Sequence, residues 1–275
     1  GEESGEGIEP DTGIGAEGVD PGEPEIEVVY AGTQNGINWK IDVNGKLTIS
    51  GINTEETVAD QLPQWSQYGE SITSAVVTAK QVKSTYGWFY GCYNLTSVDL
   101  SEFETDDVIN MGSMFMGCNS LIKIDVTQFD TSNVTDMSCM FAGCKNLSSL
   151  NVRGFDTSNV TDMGNMFNIC TSLTSLDLSG WDTSNVTKMG RMLYSCRNLT
   201  SLDLSNFNTS KVTIMSSMFS NCKSLTSVIF GSQSDVSKVT SYNSIFYKSL
   251  NLTTVFRPCE IKFMIFIFVV NFYMC

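Results

Sequence analysis

The residues of this chain that could do chemistry are sulfurs and carboxylates. Nine cysteines could cross-link, ligate metal or act as nucleophiles, thirteen methionines would suit a soft metal or a heme, and thirty Asp and Glu could hold calcium or act in acid–base pairs. Histidine is absent, which removes Ser-His-Asp and Cys-His catalysis and every His-ligated metal. No cofactor is implied.

Spacing decides what the sulfurs are for. Cys92, Cys118, Cys144, Cys170, Cys196 and Cys222 follow one another at intervals of 26 residues. Phe89, Phe115, Phe141, Phe167 and Phe219 precede them by three, with Leu193 as the substitute, and Leu95, Leu121, Leu147, Leu173, Leu199 and Leu225 follow by three. Met111, Met137, Met163, Met189 and Met215 form one further column and Met114, Met140, Met166, Met192 and Met218 another, so ten of the thirteen methionines are repeat positions. Phe103, Phe129, Phe155, Trp181 and Phe207 complete the pattern. The final unit slips by one residue and puts Ser249 in the Cys column. A fixed period in this range predicts a solenoid whose coils bury apolar faces against each other. Stacked side chains in one column point the same way, whereas a disulfide needs convergent Cβ vectors. The cysteines therefore read as free, buried thiols, and the missing CxxC spacing argues against metal. Cys139 stands outside the column at a position expected to be exposed, and is the thiol expected to react.

The carboxylates are periodic too. Asp99, Asp125, Asp177 and Asp203 take the outward site of a Leu-Asp-Leu strand, with Asn151 as the exception, and Asp130, Asp156 and Asp182 take a turn. Such columns fit Asx turns on a solvated face, or calcium. No pair is singled out as a glycosidase would need. Asn-X-Ser/Thr sequons such as Asn133, Asn159 and Asn185 recur with the period, and read as a ladder satisfying backbone groups. Departures from consensus are where recognition is expected: Lys123 and Arg153 on the strand face, and Lys188, Arg191 and Arg197 in one coil, followed by Lys211 and Lys223. With Asp99, Asp125, Asp177 and Asp203 these are the candidate ligand-binding residues.

The elements that must position them follow from local pattern. Leu173–Ser179 ends in strict alternation, so it predicts a short strand. Asp182–Asn185 is a turn, Val186–Met189 a second short strand, and Gly190–Cys196 a helical or 3-10 turn with Met192, Leu193 and Cys196 inward. About six or seven coils result. Upstream, Asn44-Gly45 predicts a two-residue hairpin turn, with Trp39, Ile41 and Val43 alternating before it and Leu47 and Ile49 after it. That hairpin would close the open end of the array.

Charge divides the chain further. The net charge is −14, which argues against nucleic acid. Residues 1–27 hold ten acids and no base, and read as a disordered spacer rich in Gly, Pro and Glu. The first residue is Gly rather than Met, which implies a processed or excised piece. Residues 28–76 form the β cap and 77–257 the solenoid. Residues 258–275 form a hydrophobic tail whose apolar run is too short to span a bilayer. It fits a capping strand, a truncated anchor or non-native sequence, and its abrupt change of style favours the last.

The signature MFxxCxxLxxLDLSxFDTSNVTxM, seen at Met166–Met189 and Met192–Met215, resembles the BspA-like leucine-rich-repeat surface proteins of bacteria. Trp39–Gly51 resembles the short β segment that precedes the repeats in that family, and Gln64-Trp65 and Tyr68 its aromatic cluster. The resemblance implies a leucine-rich-repeat-like, right-handed β/α coil stack with parallel strands and an N-terminal β-hairpin cap. It implies a secreted or cell-surface, non-catalytic adhesion or protein-binding role. The partner would be a host or bacterial surface protein or matrix, with any wall or membrane attachment outside this stretch. The alternatives are a structural spacer displaying another domain, or a repeat-bearing part of a larger surface enzyme.

Overall fold

A computed structural model describes residues 27–54 and 61–256. The spacer, apart from Glu27, and the tail lie outside the described residues. The chain opens with strands β1 (Val28–Gln34), β2 (Ile37–Asp42) and β3 (Lys46–Gly51), then a 3-10 helix, Gln64–Ser71. The coils supply β4 (Ser74–Val77), β5 (Ser97–Asp99), β6 (Ser201–Leu204), β7 (Ser227–Phe230) and β8 (Thr254–Phe256). One sheet runs β1-β2-β3-β4-β5, antiparallel as far as β3 and parallel beyond it, and a second runs β6-β7-β8, all parallel. Strand β3 is therefore the first rung of the stack. The stack makes about eight turns, slightly more than the period alone suggests, because the cap contributes its own rung. No helix among the described residues is long and apolar enough to cross a membrane.

The expected hairpin is present, Ile41 pairing with Leu47 across Asn44-Gly45, and the cap adds a second hairpin before it. The added hairpin's two-residue turn is Asn35-Gly36, where Gln34 pairs with Ile37 and both turn residues are left-handed, φ 54° and 79°. Asn and Gly tolerate that conformation best. Asn44-Gly45 sits in a wider turn, because the Asp42 carboxylate accepts the amides of Asn44 (2.9 Å) and Lys46 (3.0 Å). Val43 is consequently exposed, whereas Trp39, Ile41, Leu47 and Ile49 are buried as expected. Trp65 joins cap to coils. Its indole donates to the Trp88 carbonyl at 2.7 Å, and its ring contacts both Trp39 and Trp88.

The interior follows the predicted columns. The phenylalanines stack ring on ring: Phe89 on Phe115 at 5.2 Å, Phe115 on Phe141 at 5.6 Å, and Phe141 on Phe167 at 5.9 Å, all within 7° of parallel. Leu193 interrupts the column, and Phe219–Phe246 resumes it. The methionine and leucine columns are fully buried alongside. Equivalent side chains of successive coils exclude water from one another, so no unit is complete alone.

Two expected strands are reduced. Val186–Met189 contributes a single bridge at Lys188, one step in a ladder of isolated bridges from Ser84 to Ser241. The segments around Asp125, Asn151 and Asp177, including Leu173–Ser179, form no ladder. Side chains take carbonyls there instead: Trp181 Nε1 donates to the Val152 carbonyl at 2.9 Å and Gln128 Nε2 to that of Leu100 at 3.1 Å.

The return segment takes the tighter of its two expected forms. Met192, Tyr194 and Cys196 donate amides three residues back within the coil, while Arg191, Leu193 and Ser195 donate to Ser216, Met218 and Ser220 of the next coil. Arg191 and Ser195 are left-handed, φ 55° and 59°. Alternate amides committed across coils, with two left-handed residues per coil, stop any helix from propagating.

Candidate binding faces

The sulfur chemistry is absorbed by the fold. Each thiol of the 26-residue column from Cys118 to Cys222 donates to a carbonyl of the preceding coil: Cys118 to Phe89 (3.3 Å), Cys144 to Phe115 (3.2 Å), Cys170 to Phe141, Cys196 to Phe167 and Cys222 to Leu193 (each 3.1 Å). Ser249 performs the same task on the Phe219 carbonyl at 2.6 Å. The position therefore selects a small donor. The seven described cysteines are free, and burial pushes the thiols of Cys92, Cys144 and Cys222 up to about 12. A thiol held that high carries almost no thiolate at neutral pH. Cys139 is half-buried rather than exposed. Burial first, then the Asp162 and Asp136 carboxylates, raise its pKa, and it is the most accessible of the seven described cysteines.

The aspartates cap their own turns. Asp99 accepts the amide and hydroxyl of Ser101, and Asp125 those of Thr127. Asp177 and Asp203 accept the amides of Ser179 and Ser205. In the second column Asp130, Asp156 and Asp182 accept the amides of Ser132, Ser158 and Ser184. These bonds hold Asp99, Asp125 and Asp130 below the usual carboxylate range, the hydroxyl contributing most. Asn133, Asn159 and Asn185 form the expected ladder, each donating at 2.7 Å to a carbonyl of the preceding coil.

The candidate cations do not form one patch. Arg153 pairs with Asp177 at 3.7 Å, and Lys188 with Asp162 at 2.9 Å. Lys123 is exposed on the strand side. Arg191 lies over the Tyr194 ring, 6.0 Å from its centre. Arg197, although close in sequence, falls in a different column, aligned by the 26-residue period with Lys145 and Lys223.

Two features escaped the sequence. Thr131, Thr157, Thr183 and Thr209 are buried, and their hydroxyls donate to the backbone carbonyls of Asp156, Asp182, Asn208 and Asp235 in the next coil at 2.7–3.0 Å. The periodic Asp-Thr-Ser was visible, but it read only as a turn. The second feature is a shallow groove of about 240 Å³ on the return side. Gly91, Gly117 and Gly143 form its floor, all left-handed at φ 71–84°. A Cβ on Gly117 would come within 3.3 Å of the Tyr93 ring. Tyr90, Tyr93, Met116 and Lys145 line its sides, and both tyrosines are exposed. Ile169, Ser195, Asn221 and Lys248 continue the glycine column and close the floor.

A family described as "Mycoplasma protein of unknown function, DUF285" matches residues 72–151 and 145–256. Among solved structures, a leucine-rich repeat protein from Eubacterium ventriosum is 18% identical, covers 82% of this chain and 83% of its own, and has a TM-score of 0.33. A leucine-rich repeat protein from T. pallidum is 13% identical over 83% of this chain and 84% of its own, TM-score 0.30. A leucine-rich cell surface protein from Faecalibacterium prausnitzii is 15% identical over 85% and 96%, TM-score 0.23. No curated protein matches.

Proposed function

The chain belongs to the family described as Mycoplasma protein of unknown function, DUF285, and from that premise we propose that it is a non-catalytic, secreted or surface-exposed bacterial protein that binds a host or bacterial surface protein or matrix through the outside of its solenoid. This family carries the BspA-like repeat signature. One observation supports the binding reading above the rest: an inner column repeats through six coils while the outer column beside it diverges. Cys196 belongs to a column of six cysteines, yet the next column reads Tyr93, Asn119, Lys145, Thr171, Arg197, Lys223. Extended solenoid faces with such variation suit partner recognition. The reactive groups support the non-catalytic reading, because thiols and aspartates are committed to internal hydrogen bonds.

The test is capture of surface and matrix proteins on an array by the full chain. Y90A/Y93A is expected to weaken capture about tenfold through lost aromatic contact, with an unchanged melting temperature. No captured protein would overturn the reading and leave the spacer alternative.

A further inference from the structure

Within the coils, charge is sorted by side. The return segments span residues 86–96, 112–122, 138–148, 164–174, 190–200, 216–226 and 243–253, and none of the seven contains Asp or Glu. The same segments carry Lys145, Arg191, Arg197, Lys223 and Lys248. Every described acid of the coils lies on the strand, turn or bridge sides. The return side of the coils is thus free of acids, with Glu70 of the cap at its end, where its carbonyl accepts from Asn94 at 2.8 Å.

The cations on this face are aligned and held. Lys145, Arg197 and Lys223 share one column, separated by two coils and then one, which is about 10 Å and about 5 Å along the axis. All three are exposed, and none takes part in the four ion pairs of the described residues. Arg191 sits on Tyr194, and Lys248 on Tyr247 at 5.1 Å. The glycine-floored groove opens on the same face, with Tyr90 and Tyr93 beside Lys145.

We propose that this acid-free face binds a linear anionic polysaccharide. The inference rests on the reading of the solenoid as a binding body and names its ligand class. A straight row of cations at coil spacing complements the regularly repeated charge of a stiff polymer. Exposed tyrosines beside that row offer flat apolar platforms for the faces of sugar rings. An anion approaching the Lys145–Lys223 row meets no carboxylate from the return segments themselves.

The experiment loads the full chain on immobilised heparin, with uncharged dextran as control, at low ionic strength. The wild type is expected to be retained on heparin alone and to elute as salt rises. The triple variant K145E/R197E/K223E is expected to bind at least about tenfold more weakly. The control variant K40E/K46E/K238E makes the same charge change on other faces and is expected to be retained like the wild type. Circular dichroism and melting establish that both variants fold. Equal losses in the two triples, or an unretained wild type, would overturn the proposal. So would tighter, Lys145-dependent binding of a single-stranded polynucleotide. Heparin binding that emerges only after residues 1–26 are removed would assign the face to that acidic segment instead. A chain that captures an array protein but ignores heparin would sink this inference and leave the broader binding reading standing.

Discussion

Cys196 and Arg197 are neighbours in the chain and opposites in constraint. Cys196 is fully buried, bonded to the Phe167 carbonyl and repeated through six coils. Arg197 is exposed, and its column changes chemical character at almost every step. The inner column must satisfy a carbonyl and fill a fixed volume, so few side chains serve. The outer column has only water to satisfy. Such a stack holds its shape while its surface is rewritten, which is the separation a recognition protein needs.

The comparison can be broken hardest from inside, by alkali. Thiols with a raised pKa in the folded chain stay protonated where the unfolded chain has already ionised. The unfolded state then binds fewer protons, and stability falls as pH rises. The loss should begin near the ordinary thiol pKa of about 8.5 and continue towards about 12, the level of Cys92, Cys144 and Cys222. Each thiol contributes about 1.4 kcal/mol per pH unit. Urea midpoints between neutral pH and pH ~11 would show the fall, and a flat profile would contradict the assignment of buried thiols.

Next in size, Phe141→Ala removes a ring stacked on both sides and should cost about 3–5 kcal/mol, measured by chemical denaturation. A finer contrast separates donor from volume at one position. Cys170→Val leaves the Phe141 carbonyl without its donor and should cost about 1–3 kcal/mol. Cys170→Ser should keep the bond, as Ser249 does, and lose less. Asn159→Ala removes one donor to the Ser132 carbonyl and should cost about 1 kcal/mol, read as faster amide exchange at that corner. Lys188→Ala, on the outside, breaks an exposed pair with Asp162 and should change the melting free energy by less than about 1 kcal/mol. An inner and an outer substitution of equal effect would erase the comparison.

The same contrast explains what was legible beforehand. The Cys, Phe, Met and Leu columns are strict at 26 residues, because burial forbids drift, and they disclosed the solenoid. The thiol-to-carbonyl bonds were not legible, since they join a Cys to a Phe 29 residues earlier rather than one period away. The hairpin at Asn44-Gly45 was legible, but the width of its turn was not, because that depends on the Asp42 carboxylate gathering two amides. The Trp181 indole reaches the Val152 carbonyl in the preceding coil, a contact that no local pattern encodes. The acid-free face was hidden for another reason. Lys145 and Arg197 are 52 residues apart in the chain, and only sorting by column puts them in one row.

The buried threonines carry a mechanical consequence. Thr131, Thr157, Thr183 and Thr209 each fasten one coil to the next, as do the cysteine thiols and the asparagine amides. All these fasteners lie along the stacking axis. Tension applied between the ends would load them in sequence, so the stack should peel one coil at a time. Each coil of 26 residues would then release roughly 90 Å of chain where it had occupied about 5 Å of height. The same fold that presents a steady surface at rest would yield under load in even steps and lengthen many times over before the last coil opened.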